Sequence, residues 1–307
     1  MILTICPNPS MDCTIELDNL NVGMLNRISN KVETYSGKAL NVAMGVARLK
    51  EKSFATGFMF ENNGKMFEQT LEREGVAHKF VWNKGSVRVN YKIIDKRSML
   101  TEINDKGDEV SEEKQRELID LVKVLAKDCD IAVMSGSLPK GVNAEFYGEV
   151  LKNVPASVKK VVDTEKANLE FAVKENLYMV KPNLRELENI AGDTLSTKYD
   201  ILKASYALLN KGVKMVMVSL GSEGAILTDG IKSFYCKSAN VAVNSTVGAG
   251  DSMLASACVQ IEKGADMEEL LRCSVAAGTA AITTSGTNLF YKDKYEEIYN
   301  KIYVEPI

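Results

Sequence analysis

The 307-residue sequence has little histidine, no closely paired cysteines and no apolar run near the ~20 residues that a membrane-spanning helix needs. Its single histidine, His78, excludes a metal centre built from several histidines, and its strand-like surroundings favour a structural role. The six cysteines include no Cys-x-x-Cys pair, so neither a zinc site nor a disulfide framework is expected. Acid–base chemistry must therefore use carboxylates or lysines.

The sequence also lacks an excess of charge of either sign. Lys and Arg number 38 against 41 Asp and Glu, which gives a formal net charge of −3. No basic field therefore indicates a nucleic acid or an anionic membrane as partner. The N-terminus has neither the basic region nor the long apolar core of a signal peptide. We expect a soluble cytoplasmic protein that forms one large α/β domain over residues 1–307, or such a domain with an appendage.

What the sequence does contain is a regular alternation of short apolar segments and amphipathic segments. Between residues 111 and 218 this alternation predicts repeated βαβ units, hence a parallel sheet with helices on both faces. A hairpin over 225–236 and helices near 250–263, 266–284 and 292–303 should follow.

Two β-rich sections, near residues 10–35 and 83–105, interrupt the βα order. We expect them to lie together as a small lid over the edge of the sheet. Ligands of such proteins gather at the carboxyl ends of the parallel strands, and several polar loops follow predicted strands.

One segment carries the strongest chemical signal, Asn244-Ser-Thr-Val-Gly-Ala-Gly-Asp-Ser252, which opens a helical pattern. Gly248 and Gly250 let the backbone turn tightly, so several N–H groups and the positive end of the helix can hold an anion. Asp251 beside them is a candidate base for an attacking hydroxyl. The alternative is that Asp251 only caps the helix. The segment fits neither a dinucleotide loop nor a P-loop.

Further candidate ligand groups occur in the N-terminal half. Asp12 follows the turn after the first strand, where either a ligand contact or an Asx turn would suit it. Gly37 permits close approach of the backbone, and Lys38 and Asn41 lie one helical turn apart, where both can face a sugar. The alternative for Lys38 and Asn41 is a solvated first turn of a helix.

A strand over residues 86–94 places Arg88, Asn90 and Lys92 on one face. Two cations and an amide in a row suit a phosphorylated ligand. The ordinary alternative is an edge strand that charge protects from aggregation.

Taken together, these segments resemble the PfkB, or ribokinase-like, family of carbohydrate kinases over essentially the whole chain. The two diagnostic regions are Ser36-Gly-Lys-Ala-Leu-Asn-Val-Ala43 and Ser245-Thr-Val-Gly-Ala-Gly-Asp-Ser252, with Lys181-Pro-Asn-Leu-Arg-Glu186 between them. The resemblance implies a three-layer α/β/α sandwich with a mostly parallel sheet and a small β-sheet lid. Within the family the chain is most similar to 1-phosphofructokinases and tagatose-6-phosphate kinases, and Thr101-Glu-Ile-Asn104 favours the former.

This resemblance implies transfer of a phosphoryl group from ATP to a phosphorylated ketohexose, with fructose 1-phosphate preferred and tagatose 6-phosphate or fructose 6-phosphate as the alternatives. It implies Mg²⁺ as a second cofactor, leaves a need for K⁺ open, and implies a homodimer that pairs through the lid. A sugar-phosphate or nucleotide sensor without turnover is the alternative from another functional class.

The resemblance also assigns roles to residues. Asp251 would be the base, and the amides of Gly248, Ala249 and Gly250 the anion hole. The substrate-binding set would be Asp12, Ser36, Gly37, Lys38, Asn41, Arg88 and Ser137, with Lys38, Arg88 and Ser137 directed at phosphate. The ATP-binding set would be Lys181, Asn183, Ser219, Gly221, Ser222, Glu223 and Gly224, and Glu186 would organise Mg²⁺. Ser36 and Ala39 replace family glycines, which affects the expected pose of the sugar.

Overall fold

A computed structural model describes residues 1–97, 99–284 and 289–307. Within these residues the chain forms fourteen strands: β1 Ile2–Cys6, β2 Ser10–Leu17, β3 Asn30–Ser36, β4 Ser53–Phe60, β5 Ala77–Asn83, β6 Arg88–Asp95, β7 Leu100–Asn104, β8 Ile131–Ser135, β9 Lys159–Asp163, β10 Met179–Val180, β11 Met215–Ser219, β12 Ala225–Thr228, β13 Ser233–Cys236 and β14 Val304–Pro306. The same residues form ten α-helices: α1 Lys38–Arg48, α2 Lys65–Arg73, α3 Glu112–Leu125, α4 Glu145–Lys152, α5 Lys166–Ala172, α6 Leu184–Ala191, α7 Lys198–Leu209, α8 Ala249–Lys263, α9 Met267–Ala281 and α10 Lys292–Tyr299.

The large sheet has β1 near its middle, paired in parallel with β4 on one side and β8 on the other. Its order is β14-β13-β12-β11-β10-β9-β8-β1-β4-β5, and the seven strands from β11 to β5 are parallel. The inner strands β1 and β8 are buried along their whole length, as expected for strands covered on both faces.

Three antiparallel strands, β12, β13 and β14, complete one edge of this sheet. The predicted hairpin is thus extended by a third strand. The prediction of a last helix over 292–303 was wrong at its end, because α10 ends at Tyr299 and the chain then pairs with β13. A three-residue strand that contains a proline carries too little local signal to be recognised in the sequence.

Helices cover the large sheet in two layers. One layer contains α1, α8, α9 and α10, which pack against one another in that order, and the other contains α3 to α7. This arrangement confirms the predicted three-layer α/β/α sandwich. No helix in the described part of the chain is long and apolar enough to cross a membrane.

The second sheet is small and has the order β3-β2-β6-β7. Its strands come from the two β-rich sections of the sequence, of which only Ser98 lies outside the described residues. Tyr35 of β3 packs edge-on against Phe67 of α2, with ring centroids 5.3 Å apart. Because β6 lies between β2 and β7, the interpretation of its charged side chains as protection of a sheet edge is wrong.

Candidate active site

Asp251 lies in the first turn of α8, and it does not cap that helix. The N-cap is Gly248, whose φ of 82° is a left-handed conformation that favours glycine. The carboxylate of Asp251 instead accepts a hydrogen bond of 2.8 Å from Nδ2 of Asn41 in α1. The capping interpretation of Asp251 was therefore wrong, and so was the interpretation of Asn41 as a solvated residue, because both side chains are buried.

The surroundings of Asp251 increase its basicity. Burial raises the pKa of its carboxyl group, while the charge of Lys38 and the hydrogen bond from Asn41 act in the opposite direction. The Asp251 side chain also sits where the free N–H groups of Ala249 and Gly250 begin a helix. A buried carboxylate and a group of N–H donors are thus adjacent, which is the arrangement that transfer of a charged group to a hydroxyl requires.

A buried carboxylate that the sequence analysis missed, Asp163 at the end of β9, holds two lysines near this point. Its Oδ2 lies 3.1 Å from Nζ of Lys181 and its Oδ1 lies 3.6 Å from Nζ of Lys38. Lys181 Nζ is also 3.3 Å from the position that a Cβ on Gly250 would occupy. Two ammonium groups therefore flank the N-terminus of α8. The available signal was the position of Asp163 at the carboxyl end of a buried parallel strand.

The charges of this cluster are coupled. The charge of Asp163 raises the pKa of Lys38. Burial alone would raise the pKa of Asp163, but the two lysines hold it below its usual value. Asp163 is thus an anion at neutral pH, and Lys38 remains a cation.

On the small sheet, Asp12 is a strand residue and forms no Asx turn, so that interpretation was wrong. Its Oδ2 accepts a hydrogen bond of 2.7 Å from Nζ of Lys92, and its Oδ1 one of 3.1 Å from Nδ2 of Asn90. The strand pattern predicted that Lys92 contacts a phosphorylated ligand. In the structure Lys92 is instead the ion-pair partner of Asp12.

Gly37, immediately before α1, has a φ of 147°, and a Cβ there would lie 2.9 Å from Sγ of Cys6. Only glycine fits this junction without rearrangement. Ser36 and Ala39, which replace family glycines, do not obstruct the junction at Gly37. The hydroxyl of Ser36 donates to the carbonyl of Ser10 at 3.4 Å, and Ala39 is completely buried in the core. Ser36 and Asn41 line a cavity of about 450 Å³ between β3, α1 and α2.

Arg88 and Ser137 are brought together around Asn8. The guanidinium of Arg88 donates to the carbonyls of Asn8 and Pro9, each at 3.4 Å, and to that of Asp105 at 3.2 Å. Nδ2 of Asn8 donates to Oγ of Ser137 at 3.3 Å. Burial lowers the pKa of Arg88, but a guanidinium stays charged. Asn8, Arg88 and Ser137 thus form a polar cluster near the carboxyl end of β8.

A largely apolar cavity of about 230 Å³ lies on the other side of the α8 N-terminus. It is lined by Ser219, Gly221, Ser222, Gly224, Ser238, Val243, Thr246, Ala249, Gly250, Met253, Val275, Gly278, Thr279 and Ile282. Four of the predicted ATP-binding residues are among them. Lys181, Asn183 and Glu223 are not among them; Glu223 is exposed in the turn Gly221–Glu223, and the roles of all three stay predictions. The contributions of α9 were missed in the sequence because they are small, ordinary core residues.

Gly224, which lines this cavity, leaves no room for a side chain. A Cβ at this position would lie 1.9 Å from the carbonyl oxygen of Cys236.

Asn183 and Glu186 form a reciprocal capping box at the start of α6. Oδ1 of Asn183 accepts from the Glu186 amide and Oε2 of Glu186 accepts from the Asn183 amide, both at 2.8 Å. Asn183 also forms a parallel bridge with Ser219, which links α6 to the apolar cavity. One carboxylate oxygen of Glu186 is thereby oriented, and its negative charge acts on Lys38.

The oriented carboxylate of Glu186 suits an Mg²⁺ ion whose ligands are mainly phosphate oxygens and water. The described residues contain no cluster of three His, Cys, Asp or Glu side chains that could hold a metal ion alone. A single oriented carboxylate, Glu186, agrees with the preference of Mg²⁺ for few protein oxygens and several waters.

Comparison with known proteins identifies the family. The chain matches the pfkB family carbohydrate kinase model over residues 8–294. It belongs to that family. It is 31% identical to tagatose-6-phosphate kinase of Staphylococcus epidermidis over 308 residues, covering 99% of both chains. It is 29% identical to 1-phosphofructokinase of Vibrio cholerae over 307 residues, covering 100% of this chain and 97% of the relative.

Solved structures of family members agree. The potassium complex of phosphofructokinase-2 from Escherichia coli superimposes with a TM-score of 0.91 at 30% identity, over 98% of each chain. A possible 1-phosphofructokinase of Thermotoga maritima gives a TM-score of 0.89 at 26% identity, over 100% of this chain and 99% of that one. The pfkB protein described here is thus a sugar-phosphate kinase, an ATP-dependent phosphotransferase with an alcohol group as acceptor.

Proposed function

We propose that this kinase converts fructose 1-phosphate to fructose 1,6-bisphosphate, with Asp251 as the general base. The observation that carries the proposal is the buried Asp251 carboxylate, hydrogen-bonded to Asn41 and adjacent to the first amides of α8. The relatives named 1-phosphofructokinase, together with the Thr101-Glu-Ile-Asn104 segment, support this choice of sugar.

In the proposed reaction, Asp251 takes the proton of the attacking sugar hydroxyl. The oxygen forms a bond to the γ-phosphorus of ATP while the bond from that phosphorus to the ADP oxygen breaks. The amides of Gly248, Ala249 and Gly250, with Lys38 and Lys181, stabilise the charge on the phosphoryl group. Mg²⁺, when bound, neutralises charge on the nucleotide phosphates, and Glu186 would hold it through water.

The two sides of α8 separate the two substrates. The nucleotide would occupy the apolar cavity lined by Gly221, Ser222 and Gly224, and the sugar would lie beneath the small sheet against Asp12 and Asn41. Arg88 and Ser137 would bind the phosphate that the sugar already carries. The small sheet would then act as a lid that excludes water from the transfer.

Tagatose 6-phosphate is the second candidate substrate, since the tagatose-6-phosphate kinase relative is as similar as the 1-phosphofructokinases. The test measures ADP formation with Mg-ATP and each of fructose 1-phosphate, tagatose 6-phosphate and fructose 6-phosphate. We expect the highest kcat/KM with fructose 1-phosphate and a loss of about 10²–10⁴-fold in kcat for Asp251→Asn. A preference for a 6-phosphate would replace the proposed substrate, and no turnover with any of the three would favour a sensor.

We also propose a homodimer that pairs through the small sheet. Apolar side chains on this sheet and on the loop that precedes β3 are exposed, among them Val22, Leu25, Tyr91 and Ile103. A second copy of the chain would cover them, because exposed apolar groups concentrated in one region mark an interaction site. The related phosphofructokinase-2 of Escherichia coli has a tetrameric inhibited form. The cytoplasmic location and a need for K⁺ stay predictions.

A further inference from the structure

A polar row crosses the two central strands of the small sheet. Asp12 of β2 and Asn90 of β6 are direct partners in the parallel pairing, and Lys92 lies two residues beyond Asn90. Side chains two residues apart in a strand point to the same face, so all three project from one side of the sheet. Neither strand is an edge strand, so these polar groups do not protect an edge.

Within this row, Lys92 and Asp12 form a buried ion pair. Each side chain is only 8% exposed, and Nζ of Lys92 lies 2.7 Å from Oδ2 of Asp12. A buried ion pair is weak as a stabilising element, because desolvation of both charges opposes their attraction. Its presence on a small, otherwise half-exposed sheet suggests a role other than stability, and fixing the position of one carboxylate is such a role.

The remaining hydrogen bonds orient that carboxylate. Oδ1 of Asp12 accepts from Nδ2 of Asn90 at 3.1 Å and from Oγ of Ser10 at 3.3 Å. Since these contacts fix the amide of Asn90, its carbonyl oxygen Oδ1 also has a fixed direction. That oxygen is buried and has no hydrogen-bond partner among the described residues. A buried acceptor without a partner is unfavourable unless a ligand donates to it.

We propose that Asn90 contacts a hydroxyl of the sugar directly and that Lys92 is the positioning residue for Asp12. Asp12 and Asn90 then present two oriented acceptors to hydroxyl donors of the substrate, while Lys92 holds the Asp12 carboxylate in place. This inference rests on the proposed function, because it takes Asp12 as a residue that binds the sugar.

The experiment compares Asn90→Leu and Lys92→Met with the wild type in steady-state kinetics against both substrates. We expect the KM for the sugar phosphate to rise about 10-fold in each variant while the KM for ATP stays within about twofold, since loss of one hydrogen bond typically changes binding by up to that factor. Lys92→Arg should recover part of the affinity for the sugar. Lys31→Met, which removes an exposed lysine from the same sheet, is the matched control and should leave both KM values unchanged.

A double variant separates positioning from folding. Asp12→Asn with Lys92→Met removes both charges, so its melting temperature should lie above that of Lys92→Met alone, whereas its KM for the sugar should remain high. Equal increases in the KM values for ATP and sugar, or a lower melting temperature with an unchanged KM for the sugar, would overturn the inference. Turnover by the wild type is measured in the same series, so failure of the proposed function shows itself separately as absence of turnover before any substitution.

Discussion

Asp163 is the residue through which Lys38 and Lys181 are held beside the N-terminus of α8. Asp163→Asn keeps the shape of the side chain but removes the charge that both ammonium groups face. We expect kcat to fall about 10²-fold, comparable with the loss of one donor that stabilises a transition state. Steady-state ADP formation measures this.

The control for this substitution is Asp229→Asn, in the turn between β12 and β13 at the opposite end of the sheet. Asn can accept the same two backbone hydrogen bonds that Asp229 accepts from Ile231 and Lys232. The control should therefore keep the wild-type kcat. If Asp163→Asn also kept the wild-type kcat, the contribution of Lys38 and Lys181 to the reaction would not depend on the charge of Asp163.

With Asp251 as the proposed general base, its raised pKa predicts that the reaction is sensitive to pH on the acid side. A general base must be ionised, and burial moves the pKa of this carboxyl above the ~3.9 of a free Asp. Activity should therefore be lost as the pH falls through a value above that. Asp163 cannot produce this acid limb, because its lowered pKa keeps it ionised to lower pH. A pH profile of kcat/KM that stays flat down to the pH of acid unfolding would contradict this.

The same two shifts act on stability with opposite signs. A raised pKa for Asp251 means that the folded state binds its proton more tightly than the unfolded state does, so the stability that protonated Asp251 contributes is present below ~3.9 and is lost as the pH rises above that value and through the raised pKa. The lowered pKa of Asp163 contributes stability that is present above ~3.9 and is lost as the pH falls below it.

Helix α8 has a glycine in the left-handed conformation at each of its two ends. Gly248 and Gly264 have φ values of 82° and 71°. Replacing either with Ala should reduce the free energy of unfolding by about 1–2 kcal/mol, because a Cβ is unfavourable in the left-handed region. Only Gly248→Ala should also reduce kcat, since only that end carries Asp251. Thermal melts and ADP formation on both variants test this, and equal kcat values would contradict it.

Elements with strong local signals were predictable from the sequence. The apolar runs of β1 and β8 and the alternation of strands and helices were sufficient for the parallel sheet and its two helical layers, which the structure confirms. β14 was not predictable, because it exists only through its pairing with β13.

The candidate site shows the same division. The Gly-Ala-Gly-Asp segment carries its own signal, whereas Asp163 and Lys92 acquire their partners Lys38 and Asp12 from segments 80 or more residues away. Periodicity cannot detect such pairs, because it describes only neighbours in sequence.

For the whole molecule, the exposed apolar side chains of the small sheet predict self-association. We expect the wild type to sediment as a dimer and Ile103→Lys to sediment as a monomer, because a charge would then be buried in the interface. Val124→Lys is the control, since Val124 is an exposed apolar residue on α3, away from the small sheet. A monomeric wild type at all concentrations tested would contradict the dimer.

The hydrogen bond between Asn41 and Asp251 joins residues that are 210 positions apart in the chain. During synthesis on a ribosome, at roughly 5–20 residues per second, the N-terminal partner waits roughly 10–40 s for the C-terminal one. The nascent chain therefore contains Asn41 well before it contains Asp251, the proposed base, and the amides of the proposed anion hole. If Asp251 and the first amides of α8 are needed for phosphoryl transfer, as proposed, we expect a chain truncated before α8 to hydrolyse no ATP.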